Sequence, residues 1–282
     1  MNSIKAIVPK EFSGKKISDY LIRGMGLTVT LVKKAKYGGV FLNGECVTMR
    51  ATVKCGDEVE VFFPEGKSEN IRPIPMPLDI LYEDDYIIAV NKPSGMPTHP
   101  SRGNSLPTLA EGICAYFAPK NFVFRAVNRL DRDTGGIVII AKDTHTSSLL
   151  CKTMKAGGFS KKYDALIKGI PSPEEGVIDA PITREAEGNI KRVVRADGKR
   201  AKTHYRVTKR LNDGNSVCEI TLFTGRTHQI RVHMSYIGFP LLGDFLYGEK
   251  IDGVEYKLWA KSISFPHPYT GRMLEITCDS GL

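Results

Sequence analysis

Ala126-Val127-Asn128-Arg129-Leu130-Asp131-Arg132-Asp133-Thr134-Gly135-Gly136 runs directly into Ile137-Val138-Ile139-Ile140-Ala141. No other stretch constrains the fold as strongly. The run from Ile137 to Ala141 is unbroken, apolar and rich in β-branched residues, the pattern of a strand buried on both faces. A loop tied to such a strand is held rigidly, so Asp131, set among arginines, sits at the lip of a sheet, where reactive side chains are usually held. Gly135-Gly136 reads as a turn beside it that lets backbone or a ligand approach closely. The plain alternative is a surface carboxylate paired with Arg129 or Arg132.

Two later segments supply companions. Thr224-Gly225-Arg226-Thr227-His228-Gln229-Ile230-Arg231-Val232-His233 ends a strand at Gly225 and reads as a helix from Arg226, with Ile230 and Ile237 on one face. Lys161-Lys162-Tyr163-Asp164-Ala165 opens a strand. His228 and His233, five residues apart, do not share a helix face, and no His-Glu-x-x-His pattern occurs, so a metal site is not expected. A Walker loop, a Gly-x-Ser-x-Gly elbow and a complete dinucleotide fingerprint are also missing.

The Asp131 stretch closely resembles the catalytic-aspartate motif of RNA pseudouridine synthases of the RluA/RluD type. The likeness is strongest around Arg226 and runs on through Tyr236-Ile237-Gly238-Phe239-Pro240, Gly243-Asp244 and Tyr247-Gly248. The resemblance implies that Asp131 is the nucleophile or covalent participant at a target uridine, that Arg226 pairs with it, and that Ile230 packs against the base. Tyr163 matches a tyrosine that stacks on the base and takes up a proton. Arg129 is the candidate for filling the stack vacated by the flipped nucleotide. Asn128, Thr134, His228 and Arg231 complete the expected substrate site. The family commonly has His where this chain has Asn128, and an amide cannot carry charge near neutral pH. No metal or organic cofactor is implied.

The chemistry suits a lone carboxylate. Breaking the bond between ribose and uracil leaves cation-like character on the sugar, which an ionised carboxylate stabilises or traps. Hydrolysis would need a second carboxylate across the bond. Asp133, two residues on, would point to the other side of an extended chain. An adjacent arginine would keep Asp131 ionised.

The 282 residues leave room for a catalytic domain and a small accessory one. The expected fold class is α+β. Residues 78–282 form a catalytic domain around a mixed, mostly antiparallel sheet, and 66–77 is a proline-punctuated linker. Residues 1–65 form a small α/β unit of two helices (Lys15 to Met25, Thr30 to Tyr37), a hairpin turning at Asn43-Gly44, and a closing strand. That order, with Lys33, Lys34 and Lys36 exposed on the second helix, is similar to the S-four-like RNA-binding domain. The net charge of +9 favours a polyanion. A second basic tract, Arg184 to Arg210, reads as a phosphate-tracking surface.

The cysteines are scattered and read as reduced thiols. The chain has no apolar run of about 20 residues to cross a membrane and no signal-peptide core at Met1-Asn2-Ser3-Ile4-Lys5, so a cytoplasmic monomer acting on ribosomal or transfer RNA is expected. The rival expectations are a non-catalytic RNA-binding or ribosome-assembly protein, and an N-glycosidase that stops after bond cleavage.

Overall fold

The computed structural model describes residues 3–63, 71–101, 105–118 and 122–282. The expected boundary at 65 and the first part of the expected linker lie outside the described residues.

The N-terminal unit carries β1 (Ser3–Ile7), α1 (Ile17–Asp19), α2 (Val29–Ala35), β2 (Val40–Leu42), β3 (Glu45–Cys46) and β4 (Glu58–Phe62). Its antiparallel sheet has the order β1-β4-β2-β3. Asn43 and Gly44 take the positive φ angles that a tight hairpin turn requires. The expected regular helix from Lys15 to Met25 is instead the short α1 continuing as a wider π turn over Tyr20–Gly24. Tyr20 lies across Gly24, where a Cβ would meet the ring at 2.4 Å, and its hydroxyl donates to the Ile7 carbonyl at 3.0 Å. Strand β1, five residues of mixed polarity, was not expected. Ile17, Leu21, Leu31, Val40, Val59 and Val61 make a core of this unit's own.

The larger unit continues with β5 (Asp79–Glu83), β6 (Ile87–Lys92), α3 (Leu109–Tyr116), β7 (Gly135–Ala141), α4 (Thr144–Lys155), β8 (Ser160–Ile167) and β9 (Glu175–Asp179). Then come β10 (Ile182–Arg184), β11 (Arg192–Val194), β12 (Lys202–Arg210), β13 (Ser216–Leu222), α5 (Gln229–Tyr236), β14 (Leu258–Pro266) and β15 (Met273–Thr277). One sheet runs β5-β6-β7-β14-β8-β13-β12-β9, with β15 also beside β14. Strands β7 and β14 pair in parallel and the other pairings are antiparallel, giving the mixed α+β architecture expected.

The apolar run of β7 has a direct cause. Val138 and Ile140 enter the core under α3 and α5, while Ile137, Ile139 and Ala141 enter the opposite core with Leu150 of α4. Gly135 and Gly136 are not a turn but the first residues of β7. A Cβ at Gly135 would lie 2.1 Å from the Trp259 ring, and one at Gly136 2.4 Å from the Ala260 carbonyl oxygen. Only glycine lets β14 run this close.

Residues 71–77 have no regular structure, as their prolines require, yet they are fastened to α3. The Ile74 amide donates to the Glu111 carbonyl, and Met76 lies over Gly112. The two units touch at α4, where Phe63 stacks on His145 and the Thr28 and Ser148 hydroxyls are 3.3 Å apart. No helix among the described residues is long and apolar enough to cross a membrane.

Candidate active site

The loop before β7 is fastened from several sides. Lys92, at the end of β6, is fully buried, and its ammonium donates to the carbonyls of Pro93 (2.9 Å), Met96 (2.7 Å) and Arg132 (3.0 Å). Burial pushes that ammonium down to about 8, with Asp133 and Asp131 opposing the shift. The Thr98 hydroxyl donates to the Leu130 carbonyl at 2.9 Å. The Asn128 amide donates to the Ile137 carbonyl at 3.0 Å and accepts from the Ile139 amide at 2.9 Å, acting as an extra ladder partner for β7. Asn128 therefore clamps the loop, and both ends of its amide are engaged with backbone rather than available to a substrate.

Asp131 is left with its carboxylate one-third exposed and His228 Nε2 3.9 Å away. Asp133 is held by Arg132 in a two-pronged pair at 2.6 and 2.9 Å. The paired-arginine reading thus fits Asp133 and not Asp131.

The opposite wall is the turn into α5. The helix begins at Gln229 rather than Arg226, because His228 takes a left-handed conformation, φ 57°. The buried Gln229 side chain stitches this turn together. It accepts from the Arg226 amide (3.0 Å) and the Thr224 hydroxyl (2.8 Å) and donates to the Lys202 carbonyl (3.1 Å) and Thr203 hydroxyl (3.0 Å). His228 Nδ1 meets the Tyr247 hydroxyl at 2.7 Å. Burial pushes this imidazole below its ordinary value; Asp131 opposes the shift, while Arg231 and Arg192 add to it.

The expected pair between Arg226 and Asp131 is not formed. Arg226 is exposed, and its Nε donates to the Arg200 carbonyl at 2.9 Å. The buried cation in this wall is Arg231. Two bonds of 2.6 and 2.7 Å tie it to Asp244, and its guanidinium lies between the rings of Tyr256 (4.4 Å) and Tyr247 (4.9 Å). Burial works against the charge, yet Asp244, with Tyr256 and Asp131 adding, holds it above the ordinary value. Arg231 is therefore committed to the protein, not to direct substrate contact.

Between these walls lies a cleft of about 370 Å³, within the usual size for ligand sites of roughly 300–1,000 Å³. Asn128, Arg129, Asp131, Thr134, Tyr163, Arg226, His228, Ile230 and Arg231 all line it. Tyr163 projects from β8 and is buried; burial first, and then Asp131, pushes its phenol above the ordinary value, so it stays protonated. Ile230 is buried beside it, and Arg129 is exposed at the rim. The Thr134 hydroxyl is buried close to the Tyr256 hydroxyl. A larger cavity, about 740 Å³, lies beyond the loop, where Arg132 and Asp133 neutralise each other. The smaller cleft holds the Asp131 carboxylate, which among the described residues pairs with no arginine or lysine, and is the candidate site.

The sequence marks residues near 125–141 and 224–248 as chemistry, whereas Lys92, Gln229 and Lys161 join the site only in the fold. Lys161 lines the cleft two residues before Tyr163, and burial lowers its pKa. Its signal was available: on β8 it shares the Tyr163 face. His233 is buried between the Thr203 hydroxyl and the Ala180 carbonyl. Lys33, Lys34 and Lys36 are exposed on and just after α2.

Residues 86–236 match the sequence profile of the RNA pseudouridylate synthase family. The chain belongs to the RNA pseudouridine synthases. It is 39% identical over 267 residues to the uncharacterized RNA pseudouridine synthase YjbO of Bacillus subtilis (strain 168), covering 93% of this chain and 91% of the relative. It is 32% identical over 278 residues to ribosomal large subunit pseudouridine synthase D of Xanthomonas campestris pv. campestris, covering 93% and 79%. This places the chain in the RluA/RluD group. The fold agrees with human RNA pseudouridylate synthase domain containing 1, with a TM-score of 0.61 at 24% identity over 72% of this chain and 83% of that one. As a pseudouridine synthase the chain isomerises uridine in RNA, and the matched segment contains the Asp131 loop, Tyr163 and the whole of α5.

Proposed function

We propose that this pseudouridine synthase acts on structured RNA, with ribosomal large-subunit RNA as the first substrate to test, and that Asp131 is its catalytic carboxylate. The observation that carries the proposal is a partly exposed carboxylate, tied to no arginine or lysine among the described residues, in a cleft walled by Tyr163 and Ile230. Four cations surround the cleft at different depths: Arg231 and the half-buried Lys161 within the wall, Arg226 and Arg129 at the surface.

The target nucleotide leaves its stack, at roughly a few kcal/mol, and Arg129 enters the space it vacates. Its planar guanidinium can stack there and hold a phosphate. Tyr163 and Ile230 then flank the uracil. The bond from ribose carbon one to uracil nitrogen one breaks, Asp131 stabilises or traps the electron-poor partner, and the ring turns. A bond to carbon five forms, the proton on carbon five is lost to solvent, and nitrogen one, released by the broken bond, takes up a proton, so that the product is an isomer of the substrate. Protonation of the buried Tyr163 phenol favours stacking over proton removal. Arg231, fixed by Asp244, forms part of the wall that faces Asp131.

The N-terminal unit, residues 1–65, serves as an S-four-like RNA-binding domain. Its second helix presents Lys33 and Lys34, followed by Lys36 and the 86%-exposed Tyr37, an arrangement suited to phosphates and a stacked base. The enzyme works as a monomer in the cytoplasm, where its RNA is. Relatives named for the ribosomal large subunit favour that RNA over tRNA.

The test is tritium release from carbon-five-labelled transcripts of large-subunit ribosomal RNA and tRNA. Release by wild type and none by Asp131→Ala is expected. Tight binding without release by wild type would overturn the catalytic reading, and free uracil would mark a glycosidase instead.

A further inference from the structure

Strands β10 and β11 form a two-stranded hairpin outside the large sheet. Their register sets Arg184 directly opposite Arg192. Like charges at facing positions of an antiparallel pair destabilise it, so the arrangement calls for an anion nearby. Among the described residues no carboxylate supplies one: Arg184, Arg192 and Lys199 take part in none of the side-chain ion pairs found there. All three line a groove of about 470 Å³, whose other wall is Gly225, Arg226 and Thr227.

That second wall is also the edge of the Asp131 cleft. Arg226, drawn toward the hairpin by the Arg200 carbonyl, bridges the two spaces. Lys161 guards the junction, since its Nζ would lie 3.6 Å from a Cβ at Gly225. The field is continuous as well, for Arg192 acts on His228 inside the cleft.

Three other arginines of the basic tract are built differently. Arg195 pairs with Asp197, Arg206 with Glu219 and Arg210 with Glu174. These paired cations contrast with Arg184, Arg192 and Lys199, which form a cluster left open beside the cleft.

We infer that the groove between the β10–β11 hairpin and the Gly225–Thr227 turn is a phosphate cradle that grips the RNA backbone next to the target uridine. This rests on the proposed reading of the Asp131 cleft as the uridine site. Arg184 and Arg192 supply flat, two-pronged donors to phosphate oxygens, and Lys199 adds a point charge. The bound strand removes the repulsion within the hairpin, so RNA should also order the hairpin.

The test uses the full-length protein, a short fluorescent oligouridylate and the labelled ribosomal transcript. The triple variant Arg184→Ala/Arg192→Ala/Lys199→Ala is compared with Arg195→Ala/Arg206→Ala/Arg210→Ala, which removes the same formal charge. The first should reduce the salt slope of oligouridylate binding by about 2, each phosphate contact to a single strand contributing roughly 0.7. The second should change it by much less. In turnover, the first variant's loss should fall on KM rather than kcat. Equal slopes for the two variants, or an unchanged KM in the first, would overturn the cradle. Inorganic phosphate should raise the Tm of wild type but not of the first variant, and oligouridylate should displace it. Failure to displace it would assign the groove to free phosphate and sink the RNA proposal. If wild type binds oligouridylate with the expected slope yet releases no tritium from any transcript, the catalytic reading fails while the cradle stands.

Discussion

The floor beneath Asp131 and the rim above it both carry cations, built in opposite ways. On the inner side, Lys92 and Arg231 are buried; one binds three carbonyls, and the other is locked onto Asp244 between two aromatic rings. On the rim, Arg129 and Arg226 are exposed, and the Arg226 guanidinium donates to a backbone carbonyl. A buried charge must be fully engaged or it destabilises the fold, so inner cations build the site. An exposed charge gains little from a surface pair, so rim cations remain free for a polyanion. Position relative to solvent decides which task an arginine performs.

The largest expected effect comes from the carboxylate between them. Asp131→Asn should reduce tritium release by about 10⁴-fold or more, as removal of a covalent participant does, while leaving Tm nearly unchanged because Asp131 supports little of the scaffold. A variant that retains even a hundredth of wild-type release would break the assignment.

The two arginines of the α5 region should then separate cleanly. Arg231→Leu leaves Asp244 buried and unpaired, which should lower unfolding stability by about 3–5 kcal/mol, measured by urea denaturation. Arg226→Ala should shift stability by no more than about 0.5 kcal/mol and weaken RNA binding instead. The contrast fails if both variants unfold alike or if neither does.

Asn128→Ala removes both backbone contacts to β7 and should destabilise by about 2 kcal/mol. Activity at saturating RNA should fall only to the extent that the loop loosens. A larger loss of kcat than of stability would show that the amide meets substrate after all.

Acid pH probes the same boundary more gently. Burial holds His228 below the ordinary imidazole value, so it is neutral at pH 7 and gains charge only as pH falls below that value. Protonation then places a cation 3.9 Å from Asp131, and rate should fall on that acid limb. His228→Gln should displace the limb; an unchanged profile would remove His228 from the account. The alkaline side should show no gain from ionising Tyr163, whose phenol is raised.

The smallest effect is expected far from the cleft. Replacing Lys33, Lys34 and Lys36 by Gln should weaken RNA binding a few-fold near physiological salt and leave kcat unchanged. No change in affinity would argue against the N-terminal unit as an RNA-binding domain.

The sequence alone determined the strand Ile137–Ala141, the Asp131 loop leading into it, the Asn43-Gly44 hairpin and the family. Each is a local signal, written in residue order as an apolar run, a turn dipeptide or a motif. Only the tertiary structure decided which arginine lies inside. Arg226 and Arg231 occupy one short segment, and no pattern there distinguishes a buried guanidinium from an exposed one. The difference arises because Asp244, Tyr247 and Tyr256 fold over Arg231, while the left-handed turn at His228 leaves Arg226 outside. The same reason hid Lys92, which reads as a turn residue but lies under the Asp131 loop, 40 positions away in sequence from the Arg132 carbonyl it holds. Burial depends on partners distant along the chain, and for a charged side chain burial determines what it can do.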